Sequence, residues 1–136
     1  MCGIAGIFGS FDKEALNIKV LKKTMYNRGP NSFNYDLYGF NEIKCIFIHS
    51  RLSIIDLHDR SNQPFEKDNI KLIFNGEIYN YIEIKDFLKK KGSKFITNSD
   101  TEVIIEAYKY WGEKCFKKME GMWALAILDM KKKELI

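Results

Sequence analysis

The chain has little arginine, cysteine or histidine, and it has no long apolar run. Of its 22 basic residues, only Arg28, Arg51 and Arg60 are arginine. A chain that uses lysine nearly everywhere keeps arginine where a planar, bidentate fork is needed. The three cysteines, Cys2, Cys45 and Cys115, are odd in number and show no C-x-x-C spacing. Neither a disulfide framework nor a metal site is therefore expected, and a reducing, cytoplasmic compartment is the simplest inference. The longest apolar run, "MWALAIL", is strand-length, far short of the ~20 residues of a membrane helix. The opening residues lack a basic region, a long apolar region and a small-residue cleavage site, so no targeting signal is expected. The formal net charge is only +4. The lysine runs "KKKGSK" and "MKKK" read as solvated loops, and no aromatic-basic motif suggests a nucleic-acid partner.

What is present is ample apolar material: 46% of 136 residues, enough for the core of one domain. "GIAGIF" reads as a strand whose two glycines admit a close backbone or ligand. From Lys13 to Tyr26, Ala15, Ile18, Leu21 and Met25 recur at helical spacing, and "NRGPN" ends that helix. "YDLYG" reads as a strand, and "KCIFIHSRL" as a strand covered on both faces, with Cys45 a small buried hydrophobe. After a polar loop, "HDRSNQPF", the run "IKLIFNGEIYN" predicts a strand entering a tight Asn-Gly turn. A helix follows from Tyr81 to Lys91, stopped by Gly92. In "KFITNSDTEVIIEAYKYWG" a short strand precedes a helix, with Ser99 and Glu102 at the spacing of a capping box. "GMWALAILD" is an apolar strand, "MKKK" a turn and "ELI" the opening of a returning strand. Strands usually run ~5–6 residues, so the chain is expected to be a fragment or a truncated reading frame.

Cys2 carries the sharpest chemistry. Removal of Met1 would leave one residue with both a thiol and a free α-amine. An amine of pKa about 7.7–8.0 can take the proton of a thiol of about 8.5 near neutral pH. One residue then supplies nucleophile and base, the N-terminal-nucleophile arrangement. With the base role filled, His49 and His58 read as structural.

The words "MCGIAGIF", "RGPN", "HSRLSIID", "QPF", "FNGEIYN", "SDTE" and "GMWALAILD" occur in that order. Together they resemble the glutaminase domain of asparagine synthetases, a class II glutamine amidotransferase. The resemblance covers Cys2 to Asp129. Amidotransferases that make glucosamine phosphate or phosphoribosylamine share the Cys start and the Asn-Gly pair, but their flanking words differ.

The resemblance implies an α+β fold, an αββα sandwich of two mainly antiparallel sheets, incomplete at its C-terminal end and occupying residues 2–136. It implies that Cys2 attacks the side-chain amide of L-glutamine. Asn75 and Gly76 match the oxyanion pair, through the Asn side-chain amide and the Gly backbone N–H. Arg51 matches the residue that binds the α-carboxylate, Leu52, Ser53, Ile54 and Ile55 wall the pocket, and Asp100 takes the α-ammonium. Glu77 adds a hydrogen bond near the substrate's amino end. Arg28 lies at the pocket edge, and Asn31 stands where the family has Asp. No cofactor is expected in this domain. ATP and magnesium are expected in a C-terminal synthetase domain, absent from this sequence, that would use the ammonia to amidate aspartate. A homodimer is left open, and no membrane or nucleic-acid partner is expected. Two rival readings remain at this point: the same glutaminase serving a sugar or other small acceptor, and a non-catalytic relic acting as an interaction module.

Overall fold

A computed structural model describes residues 2–13, 16–40 and 42–136. Among these residues the alternating and continuous apolar runs form seven strands. β1 (Gly3–Gly9), β2 (Ser32–Phe40) and β3 (Ile43–Arg51) make one sheet in the order β1-β3-β2. β4 (Phe65–Lys67), β5 (Ile70–Ile78), β6 (Gly121–Asp129) and β7 (Glu134–Leu135) make the second, in sequence order. Every strand pairing is antiparallel. The helices are α1 (Ile18–Met25), α2 (Tyr81–Lys90) and α3 (Asp100–Trp111).

Side chains alternate across a strand, and β3 shows what each face meets. Ile46 and Ile48 pack against Met25 of α1 and its neighbours. Cys45 and Phe47, on the opposite face, pack on Ile73 of β5 and Leu128 of β6. The far face of the second sheet, with Leu72 and Phe74, is covered by Leu88 of α2 and by Val103, Ile104 and Ala107 of α3. The layers therefore run helix, sheet, sheet, helix. β3 is the central strand of its sheet and is buried from Cys45 to Arg51, as its continuous apolar run requires. Each fully buried aliphatic or aromatic side chain of this kind contributes roughly 1.5–3 kcal/mol.

Several boundaries differ from expectation. The Asn75-Gly76 pair is not a turn. It lies inside β5, opposite Ala124 and Trp123 of β6. Gly76 is required there by close approach rather than by turn geometry: an added Cβ would sit 2.6 Å from Trp123 Cα. The tight turn lies earlier, at Asp68 and Asn69, whose φ values of 50° and 66° suit a two-residue hairpin between β4 and β5. α1 is shorter than expected because the Asn17 side chain accepts from Val20 N–H at 3.1 Å and caps it there; Ala15 lies outside the described residues. The short strand expected at "KFIT" is absent from the described elements. Those backbone groups are instead taken by a buried carboxylate of α3, described below. Gly92, at φ +96°, ends the α2 region as expected, and "MKKK" forms the β6–β7 turn.

Candidate active site

Cys2 immediately precedes β1 and is half-buried. Its sulfur lies against the backbone of Leu52: Leu52 N–H points to Sγ at 3.4 Å, and Sγ is 3.6 Å from Leu52 O. Arg28 Nε donates to the Cys2 carbonyl at 3.3 Å. The "RGPN" loop presses on the end of β3, where a Cβ on Gly29 would sit 2.6 Å from the carbonyl carbon of Arg51. Asn31 Oδ1 accepts from Ser53 N–H at 2.9 Å. That contact needs an acceptor oxygen and no charge, which Asn supplies.

Arg51 ends β3 and is buried. Nη1 donates to His58 O at 3.1 Å and Asn62 Oδ1 at 2.7 Å. Nη2 donates to Ile55 O at 3.4 Å and to Asp56 O. The loop 52–62 thus folds around the guanidinium. Asp56, at φ 47°, anchors the same loop from its other side, its Oδ2 accepting from Asn98 N–H at 2.8 Å and Arg60 Nε at 3.2 Å. Burial pushes the Asp56 pKa up, but these hydrogen bonds outweigh it and hold the carboxyl at about 2.

The third wall is the start of α3. Ser99 caps the helix, its side chain accepting from Thr101 N–H at 3.1 Å. Asp100 Oδ2 accepts from Ile78 N–H of β5 at 3.2 Å. Burial raises the Asp100 carboxyl pKa, and Glu77 nearby adds to the rise. Glu102, fully buried, does not close a reciprocal capping box on Ser99. It reaches back to Ile96 N–H at 3.0 Å, Thr97 N–H at 2.7 Å and Thr97 Oγ1 at 2.7 Å, and pairs with Lys67 at 2.7 Å. The segment leading into Asp100 is held by that carboxylate.

These walls line a small cleft, with a cavity volume of about 70 Å³, that opens to solvent. Cys2, Arg51, Leu52, Ile54, Ile55, Gly76, Glu77 and Asp100 line it. Ser61, Gln63, Phe74, Ser99 and Thr101, not singled out as site residues in the sequence, line it too. Ser53 and Asn75 are not on the lining. Ser53 is engaged with Asn31. Alternation from Ile73, which packs between the sheets, puts Asn75 on the inner face of β5; its Oδ1 is buried with no hydrogen-bond partner among the described residues. Neither histidine lines the cleft. Burial lowers His49 to about pKa 4, so its ring is neutral at pH 7, and His58 contributes its carbonyl to Arg51. The cleft thus offers a thiol, one guanidinium and two carboxylates.

A family model described as a glutamine amidotransferase domain matches residues 1–136. The chain belongs to that family. It is a class II glutamine amidotransferase domain, homologous to part of the glutamine-hydrolysing asparagine synthetases. It is 40% identical to glutamine-hydrolysing asparagine synthetase 1 of Bacillus subtilis over 135 residues, covering 93% of this chain and 20% of that protein. It is 35% identical to putative glutamine-hydrolysing asparagine synthetase 2 of Methanocaldococcus jannaschii over 150 residues, 97% of this chain and 28% of that protein. A solved structure of glutamine phosphoribosylpyrophosphate amidotransferase from B. subtilis, complexed with ADP and GMP, superimposes with a TM-score of 0.54 at 25% identity. It covers 65% of this amidotransferase domain and 22% of that chain. The domain therefore spans about a fifth to somewhat over a quarter of these curated relatives' length. Among its described residues, no helix is long and apolar enough to cross a membrane.

Proposed function

We propose that this domain hydrolyses the side-chain amide of L-glutamine to glutamate and ammonia, as the glutamine-using part of an asparagine synthetase. The observation that carries the reading is the placement of the Cys2 sulfur at a cleft that also holds Arg51 and Asp100. Free glutamine is a zwitterion. Its α-carboxylate goes to the Arg51 guanidinium, and its α-ammonium to Asp100 with Glu77 beside it.

Loss of Met1 exposes the Cys2 α-amine, which takes the thiol proton. The sulfur attacks the amide carbon, forming a C–S bond and an oxyanion. Gly76 N–H, at the cleft, receives that oxyanion, and the Asn75 side-chain amide, off the cleft lining in the free domain, turns to join it. The ammonium returns its proton to the leaving nitrogen, the C–N bond breaks, and ammonia departs. Water, deprotonated by the same amine, adds to the thioester. The C–S bond then breaks, releasing glutamate and restoring the thiol. The ammonia passes to an ATP- and magnesium-dependent synthetase domain of the same polypeptide, which amidates aspartate. Homology to named asparagine synthetases supports that acceptor.

The test is glutamate release from glutamine by the purified protein and by Cys2→Ala. Activity abolished in a folded Cys2→Ala supports the reading. Glutamate release that survives the substitution overturns it. In the complete enzyme, Cys2→Ala should keep synthesis from free ammonia.

A further inference from the structure

Gln63 belongs to no part of the reaction just described, yet it lines the cleft and is only 6% exposed. Its side-chain amide makes two contacts. Oε1 accepts from Phe74 N–H at 2.6 Å, and Nε2 donates to Thr101 Oγ1 at 3.3 Å. The Phe74 contact fixes the amide's orientation, because a backbone N–H can only donate. Phe74 is the residue before Asn75 and Gly76, and Thr101 is the residue after Asp100. One side chain therefore ties the strand carrying the oxyanion donors to the helix start carrying the ammonium-binding carboxylate.

The local sequence explains why a side chain does this. β4 pairs Phe65 with Leu72, and continuing that register brings residue 63 opposite Phe74. The strand β4 begins only at Phe65, so the ladder stops short of that point. The primary amide of Gln63 takes over where the backbone stops. Gln is the residue type suited to the position, since it carries an acceptor for the strand and a donor for the helix on one planar group.

We infer that Gln63 is a positioning residue, its amide setting the distance between the oxyanion donors Asn75 and Gly76 and the ammonium-binding Asp100. This rests on the glutaminase reading. Glutamine must reach both ends at once, so the spacing of those ends has to match its length. Misplacement of a reacting group by about 1 Å can cost on the order of 10²-fold in rate. A second link crosses the same gap, from Ile78 N–H to Asp100 at 3.2 Å, and it reports on whether the spacing holds.

The experiment compares Gln63→Met, Thr101→Val and Thr101→Ser in the full-length protein. Gln63→Met keeps the side chain's length and removes both hydrogen bonds. It should lower kcat/KM for glutamine about 10²-fold, with kcat reduced and KM raised together. Thr101→Val cuts only the helix end of the tie. It should raise KM several-fold, and its effect should vanish in the Gln63→Met background. Thr101→Ser retains the hydroxyl and should restore wild-type kinetics. Amide hydrogen exchange provides a readout independent of glutamine: Gln63→Met should speed exchange at both Phe74 and Ile78 while sparing α2. An inert wild-type protein would remove the glutaminase reading but leave the exchange result to decide the tie. Faster exchange at Phe74 alone would overturn the inference, as would additive effects of the two variants or a Thr101→Ser as impaired as Thr101→Val.

Discussion

Glu102→Ala tests how the approach to Asp100 is held in place. The Glu102 side chain is 0% exposed and pairs with Lys67 at 2.7 Å while accepting from Thr97 N–H and Thr97 Oγ1, each at 2.7 Å, and Ile96 N–H at 3.0 Å. Truncation leaves those donors without their acceptor, and an unsatisfied buried donor costs about 1–3 kcal/mol. Breaking a buried ion pair from one side costs about 3–5 kcal/mol. Here Lys67 keeps Glu106 at 3.0 Å, which softens the ionic part. The terms overlap, so the expected loss is about 3–5 kcal/mol, a large share of a domain stability of about 5–15 kcal/mol. Urea unfolding at pH 7, followed by circular dichroism, measures it. Glu106→Ala is the control, because the contacts found for Glu106 are to side chains, those of Lys67, Lys109 and Ser93, and not to backbone N–H groups. The pH dependence has a definite sign. Burial raises the Glu102 pKa, but Lys67, Thr97 and the backbone N–H groups outweigh it and hold the carboxyl below the ordinary glutamate value of 4.5. A depressed carboxyl contributes stability that is fully present above the unfolded value and lost as pH falls through the folded one. The advantage of wild type over Glu102→Gln should therefore be full at pH 7 and shrink below pH 4.5. A loss under about 1 kcal/mol for Glu102→Ala, below one unsatisfied donor, or an equal loss for Glu106→Ala, would refute the reasoning.

Intact-mass measurement of the purified protein should show that Met1 is gone; a protein that keeps Met1 and still hydrolyses glutamine would rule out the amine as base. Arg51→Lys should raise KM for glutamine, since a point charge replaces a fork and cannot hold Ile55 O, Asp56 O, His58 O and Asn62 at once. Asn75→Ala should instead lower kcat roughly 10²–10³-fold with KM less changed; the reverse pattern for these two variants would show the roles exchanged. Gly76→Ala should destabilise by about 1–3 kcal/mol through overpacking, because the new methyl meets the Trp123 backbone at 2.6 Å, and an unchanged urea midpoint would contradict that contact.

The residues proposed to do chemistry stood out in the sequence because chemistry restricts residue type. A thiol after Met1, and one of only three arginines inside a dense motif, are unusual enough to read without coordinates. β3 was legible for a related reason: a nine-residue strand buried through most of its length needs a continuous apolar run. The Asn75-Gly76 pair misled because its local preference for a turn is strong. What decides its place is the opposite strand, and β6 lies 45 residues further along, with Gly76 facing Trp123. The true hairpin at Asp68 and Asn69 carries a weaker local signal. The capping box was half right: Ser99 caps, but Glu102 bonds backwards to Ile96 and Thr97 rather than to the cap itself.

The groups that shape the cleft were illegible for a different reason. Gln63 and Asp56 fall inside the words "QPF" and "HSRLSIID", yet nothing in composition or period shows what either side chain holds. Their partners, Thr101 and Asn98, lie 38 and 42 residues away in sequence. Each becomes informative only when the helix start carrying Asp100 is folded against the loop that follows Arg51. Arg51 joins the two kinds of information. Its rarity marks it from sequence, while the structure surrounds both terminal nitrogens with acceptors from residues 55–62. A glutamine carboxylate taking that fork must compete with loop carbonyls that the same guanidinium holds. Substrate binding and loop conformation are then coupled through one side chain. On the proposed reading of Arg51, the loop 52–62 acts in recognition through its carbonyls, although few of its side chains touch the cleft.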